Sequence, residues 1–200
     1  MSTTNMTELG AVNIALASVG QSPVSSLTAP LTGTVAMAKN ILDEVRREVL
    51  ADGWMFNSDY EKPHQPDAVT SEITFAESVL RVDGSAGKNS SLDLTQRLGK
   101  LYDRKNRVYT FTSTVYLDVI YNMEFTDIPD VARNYIAKRA ARVLVERTFG
   151  DATQSSIHRQ EEFEALVKLR KHESSVGDFN YIKGSTFINK MLNRRSPFNY

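Results

Sequence analysis

Helical periodicity governs both ends of this chain and breaks down between them, and that interruption limits the folds open to it. From Glu8 to Val19, the residues Leu9, Val12, Leu16 and Val19 recur at helical spacing, with Thr7 as N-cap and Glu8 in the first turn. Gly20 supplies a left-handed stop and Pro23 blocks resumption, so a short arm of small residues follows, with Val24 and Leu27 to anchor it on a neighbouring element. A second stripe, Ala38, Ile41, Leu42, Val45 and Val49, predicts a helix from about Thr34 to Asp52. Lys39, Asp43, Arg46 and Arg47 fall outside that stripe, and Gly53 ends the helix. Trp54 and Phe56 come next, Trp54 reading as a core aromatic at a helix–sheet junction.

From Tyr60 the pattern changes. Pro63 and Pro66 mark a loop, after which β-branched and aromatic runs alternate with turn residues. The expected strands are Glu72–Phe75, Val79–Val82, Ser91–Thr95, Lys100–Asp103, Arg107–Phe111 and Val115–Tyr121, with turns at Asp83-Gly84 and Arg104-Lys105-Asn106. Short connections predict antiparallel pairing. Helical patterning returns in "TDIPDVARNYIAKRAARVLVERTFG", where Pro129 suits a first turn, Gly150 a stop, and Ile136, Ala140, Val143 and Leu144 the core. A fourth helix is expected from about Thr153 to Ser175, with Ile157, Phe163, Leu166 and Val167 inward and Glu164 paired to Lys168. The order helices, sheet, helices predicts an α+β protein: a helical bundle formed by the N- and C-terminal helices, with an inserted antiparallel β-sheet lobe. The expected divisions are residues 1–59 and 125–177 for the bundle, 60–124 for the lobe, and 178–200 for a partner-binding segment.

Composition narrows the functions. Twenty-four Lys and Arg against 24 Asp and Glu give zero formal charge, which argues against a dedicated nucleic-acid binder. Cysteine is absent, and with it disulfides, thiolate metal sites and cysteine nucleophiles. No apolar run approaches the ~20 residues of a membrane helix, so no membrane insertion is expected. His64, His158 and His172 show no metal spacing, and no P-loop or nucleophile elbow is present. Glu161-Glu162 and Asp127/Asp130 are the carboxylate pairs to consider for glycoside cleavage, but consecutive helical residues diverge by about 100° and do not face one another. No catalytic residue, cofactor or metal is expected, and the chain reads as a non-enzyme.

Two groups of residues remain as candidates for function. The third helix carries Arg133, Lys138, Arg139, Arg142 and Arg147, which read either as a solvated face balanced by acids of the fourth helix, or as a subunit interface or DNA-channel lining. Candidate partner-binding residues are Gln21, Pro23, Val24 and Leu27 of the arm, and Phe179, Tyr181, Phe187, Phe198 and Tyr200 of the last segment, which is too apolar for a simple disordered tail and is expected either to pack along its own body or to be held by another subunit.

The order of these landmarks resembles the tail tubular protein A family of short-tailed podovirus-type bacteriophages. The resemblance rests on "ELGAVNIALASVGQSPVSSL", "AKNILDEVRREVLADGWMFN", "LYDRKNRVYTF" and "YNMEFTDIPDVARNYIAKRAARVLVERTFG", spanning roughly Glu8 to Gly150. It implies a structural virion protein assembled in the host cytoplasm. That protein would be a ring-forming adaptor, expected to be a dodecamer, which joins the portal protein to the tail nozzle, helps line the DNA ejection channel and offers a platform for tail fibres. A tail-associated polysaccharide hydrolase and a portal-binding assembly factor are the alternative readings.

Overall fold

The computed structural model describes residues 5–28, 30, 31, 33–85, 88, 89, 92–150 and 152–176. Among them are four α-helices: α1 (Glu8–Ser18), α2 (Gly33–Ala51), α3 (Asp130–Phe149) and α4 (Ala152–Val176). Between α2 and α3 lie five strands: β1 (Ser58–His64), β2 (Val79–Gly84), β3 (Leu94–Arg97), β4 (Lys100–Asp103) and β5 (Val115–Tyr121). The fold is α+β, with helices at either end of the chain and the strand lobe inserted between them.

The helix ends follow from local chemistry. The Thr7 side chain accepts from the Gly10 amide and opens α1. At its other end Gly20, with φ of 71°, lets the Gln21 amide reach Leu16 O and the Gly20 amide reach Ala17 O, a Schellman closure. Pro129 stands just before α3, and Gly150 ends it in the left-handed region.

α3 is the axis of the bundle and packs against α1, α2 and α4. Its inward positions include Ala132, Ala137, Ala140 and Ala141, all buried. Small side chains let three helices approach one helix closely. Larger residues fill the remaining space: Val12 and Leu16 from α1, Ile41, Leu42, Val45 and Val49 from α2, and Ile136 and Leu144 from α3. Ion pairs fix the directions. Glu44 meets Arg147 and Glu48 meets Arg139, so α2 runs antiparallel to α3. Glu146 meets Ser155 and Lys138 meets Glu161, so α4 does too.

The lobe has its own core, built on Ile73, Val82, Leu94, Leu101, Phe111, Val115, Leu117 and Val119. β5 is the centre of a three-stranded antiparallel sheet of order β1-β5-β2, and β3 pairs with β4 in a separate hairpin. The alternation along β5 places Val115, Leu117 and Val119 in this core, as its sequence predicts.

Asn57 ties the lobe to the bundle. Its amide nitrogen donates to Leu50 O at 2.9 Å and Tyr121 O at 2.8 Å, while its oxygen accepts from the Trp54 amide. Trp54 packs against the bundle core and donates its indole N–H to Val49 O at 2.7 Å. Gly53 is required here. Its φ is 79°, and an added Cβ would stand 2.5 Å from the Ile120 side chain.

Several expectations are corrected. β1 occupies Ser58–His64, where the prolines suggested a loop; it is a sheet-edge strand, where Pro63 is tolerated. The expected strands at Glu72–Phe75 and Arg107–Phe111 shrink to isolated bridges, Glu72 with Thr110, Thr74 with Lys100 and Asp103 with Val108. Gly84 closes β2 instead of forming a turn. In α4 the buried apolar positions are Ala165 and Leu169, with Leu166 partly covered, while Ile157, Phe163 and Val167 are exposed. Glu161 and Glu162 meet α3 on the same side as Ala165 and Leu169, and at helical spacing that phase leaves Phe163 and Val167 outward. Glu164 accepts from Gln160 at 3.0 Å in place of the expected pair with Lys168.

Candidate functional site

The cations of α3 each meet an acid of the same chain. Arg133 lies near Asp130 at 4.0 Å and donates to Met6 O at 2.8 Å. Lys138 pairs with Glu161 at 3.0 Å. Arg139 reaches Glu48 of α2 at 2.8 Å and Glu162 of α4 at 4.0 Å, bridging two helices across α3. Arg142 pairs with Glu162 and, at 2.6 Å, with Glu146. Arg147 grips Glu44 through both terminal nitrogens at 2.8 Å.

Glu146 is the most perturbed of the acids. The Ser155 hydroxyl, with Arg142 and Arg159, pulls its carboxyl down to about 2 against the opposing effect of burial. Lys138 lowers Glu161 in the same way. At Arg142, burial favours the neutral form, but Glu162 and Glu146 outweigh it and the guanidinium rises. These groups form one network across the α2–α3–α4 contacts, and its geometry is that of cross-helix ties.

The arm after α1 lies on its own chain. Asn13 clamps it, donating to Val24 O at 3.0 Å and accepting from the Val24 amide at 2.8 Å. Val24 and Leu27 pack against the bundle core, while Gln21 and Pro23 are exposed. The arm therefore shows Gln21 and Pro23 outward on a fixed support. Phe179, Tyr181, Phe187, Phe198 and Tyr200 lie outside the described residues.

The carboxylates do not make a sugar cleft where the sequence raised one. Glu161 and Glu162 are taken by Lys138 and Arg142, and Asp130 accepts from the Met6 amide at 2.6 Å. Asp83 and Asp118 are cross-strand partners and line a cavity with Ser58, Tyr60 and Arg81. At about 110 Å³ it falls well below the ~300 Å³ of small ligand sites. Among the described residues no group of three or more His, Cys, Asp or Glu is placed to hold a metal, and no helix is long and apolar enough to cross a membrane.

Sequence reasoning missed the large apolar side chains on the outside. On α4 these are Ile157, Phe163 and Val167, joined by Phe149 at the end of α3. On the lobe they include Tyr60, Val69, Val108 and Leu98, the last in the left-handed region (φ 54°) at the tip of the β3–β4 hairpin. The one available signal was the pair of acids at Glu161-Glu162, which matches the α3 cations better than any solvent-facing role.

The charged groups of α3 are thus spent on holding helices together, and the structure leaves several large apolar side chains on its surface. A family model described as tail tubular protein matches residues 9–179, from the first turn of α1 to just beyond α4. The chain is also similar to tail tubular protein A of Klebsiella phage KP34, at 27% identity over 175 residues that cover 84% of this chain and 87% of that relative. The chain belongs to the tail tubular protein family and is a structural component of a bacteriophage tail.

Proposed function

We propose that this chain is a ring-forming adaptor of a short phage tail, expected as a dodecamer, that joins the portal protein to the tail nozzle and surrounds the path of the ejected DNA. The observation that carries the reading is the family match over residues 9–179, which takes in the whole bundle and the whole lobe. The exposed apolar residues on α4 and on the lobe tips fit a subunit that must make contacts on more than one side. Tail fibres would attach on the outside of such a ring. Gln21 and Pro23, held outward by the Asn13 clamp, are available to a neighbouring subunit or the portal, and residues 178–200 serve as a partner-binding segment.

The α3 cations contribute chiefly by rigidifying the subunit, and any field they present to DNA is reduced by the acids beside them. Counting this chain against the portal protein in purified particles, together with an image of the assembly, tests the proposal. A closed ring between portal and nozzle is expected. Particles holding one or two copies, or a chain that leaves before the tail is complete, would overturn it.

A further inference from the structure

Bundle and lobe each have their own core, and the chain passes between them twice, outward through residues 52–57 and back through 121–125. α2 ends at Ala51 with carbonyls that no further helical turn can satisfy. The outgoing passage satisfies two of them. The Trp54 indole N–H donates to Val49 O, while the Gly53 amide and the Asn57 side-chain nitrogen both donate to Leu50 O. The second hydrogen of that Asn57 nitrogen goes to Tyr121 O, on the last residue of β5, where the chain turns back. Its oxygen accepts from the Trp54 amide at 2.8 Å. One side chain, only 2% exposed, therefore holds both passages.

The other ties at this joint are of a different kind. Glu173 of α4 accepts from the Met55 amide at 2.7 Å in a bond open to solvent, and Arg46 of α2 reaches Glu124, whose side chain is 77% exposed. Exposed polar pairs contribute little. Apolar contact comes from Leu80 of β2, partly buried against the bundle core, and from Ile120 of β5, which lies against Gly53. Apolar contact is non-directional and tolerates sliding. Hydrogen bonds from one buried amide to a carbonyl on each body admit a single geometry.

We infer that the bundle and the lobe are two rigid bodies and that Asn57 is the pin that fixes the angle between them. Without it, Tyr121 O loses this donor and the Trp54 amide this acceptor, and the lobe turns about its two connections while each core stays whole. The pin belongs to the free chain and does not depend on the ring reading above. Its use does rest on that reading: heterologous contacts close a ring only when the same rotation recurs from copy to copy. A lobe free to turn would spread that rotation.

The absence of native cysteine lets spin labels be placed cleanly. Leu98→Cys at the β3–β4 tip and Ile157→Cys on α4 are exposed positions that put one label on each body. Dipolar spin-resonance distances in the full-length chain should form one narrow distribution. Asn57→Ala should widen it about twofold or more, while amide exchange stays slow at Leu101 and Leu117 of the lobe and at Leu16 and Leu144 of the bundle. Gly53→Ala, whose added methyl would stand 2.5 Å from the Ile120 side chain, should displace the distribution independently. A distribution as narrow in Asn57→Ala as in the parent would overturn the inference, because apolar contact would then set the angle. So would loss of slow exchange in both bodies together, since Asn57 would then hold one fold and not the orientation of two. Either failure is read on the free chain and leaves the adaptor reading standing. Where the distribution widens, incorporation into tails should fall several-fold, and normal incorporation of that chain would overturn the link to ring closure.

Discussion

α2 and α4 lie antiparallel to the same helix, α3, yet they hold it with different proportions of apolar and ionic contact. α2 turns Ala38, Ile41, Leu42, Val45 and Val49 inward, all buried, and keeps Asn40, Glu44, Arg47 and Glu48 outside. α4 turns Glu161 and Glu162 toward α3, seals the seam with Ala165 and Leu169, and leaves Phe163 and Val167 in solvent. An apolar seam stabilises in proportion to the area it removes from water. An ionic seam contributes less for its area, because desolvation of the charges offsets much of their attraction. α2 is held to α3 by a long apolar face with the Glu44–Arg147 and Glu48–Arg139 pairs at its rim. α4 is held by a smaller apolar seam beside its ion pairs and leaves Phe163 and Val167 in solvent.

The largest expected effect separates the two helices outright. Leu42→Ala, in the α2 seam, should lower the stability of the free chain by about 2–5 kcal/mol in denaturant unfolding. Phe163→Ser, on the outer face of α4, should change it by no more than about 0.5 kcal/mol. Equal losses at the two positions would show that Phe163 belongs to the chain's own core, and the contrast would fail.

Reversing a charge should give a smaller, still unequal, result. Arg142→Glu would set a third carboxylate beside Glu162, whose side chain is only 16% exposed, and Glu146. A loss of about 1–3 kcal/mol is expected. Arg47→Glu, on the exposed side of α2, should stay within about 0.5 kcal/mol. Thermal melts of the two variants at low and high salt check this, since a seam held by charge loses part of its advantage as salt rises.

The smallest effect is a pH dependence belonging to the α3–α4 seam. Glu146 sits at about 2 in the folded chain against 4.5 for an unperturbed carboxyl. Its contribution is therefore fully present above about pH 5 and is lost as pH falls through the folded value near 2. With the partial exposure of the group discounted, this amounts to roughly 1–2 kcal/mol. Unfolding curves from pH 6 to pH 2 should be flatter for Glu146→Gln than for the parent chain. Ser155→Ala should move the loss to higher pH, because the Ser155 hydroxyl is the first cause of the depression. An identical slope in parent and Glu146→Gln would remove Glu146 from the seam's account.

The same contrast explains what the sequence could say. The stripe of α2 is legible because its partner surface is apolar and the residues that pack are those that hydropathy marks. The stripe of α4 is not, since Glu161 and Glu162 share its inner face with Ala165 and Leu169 while Ile157, Phe163 and Val167 point elsewhere. The cluster of cations on α3 is visible in sequence, but the sequence does not reveal that Glu44 and Glu48 come to Arg147 and Arg139 from more than 90 positions away. β5 announces itself by alternation across two unequal faces. β1 has no such signal, for all its residues are exposed or half-buried and Pro63 interrupts it. The arm behaves as its capping residues require, although the Asn13 clamp on Val24 could be found only in three dimensions.

The outward turn of α4 is the claim on which the rest depends, and side-chain footprinting with hydroxyl radicals tests it directly. In the free chain Phe163 should label readily, as its 59% exposure requires. In purified tails its labelling should fall several-fold, together with that of Val167, because assembly covers these side chains. Phe163 labelling that is already low in the free chain, or equally high in the free chain and the tail, would contradict the account.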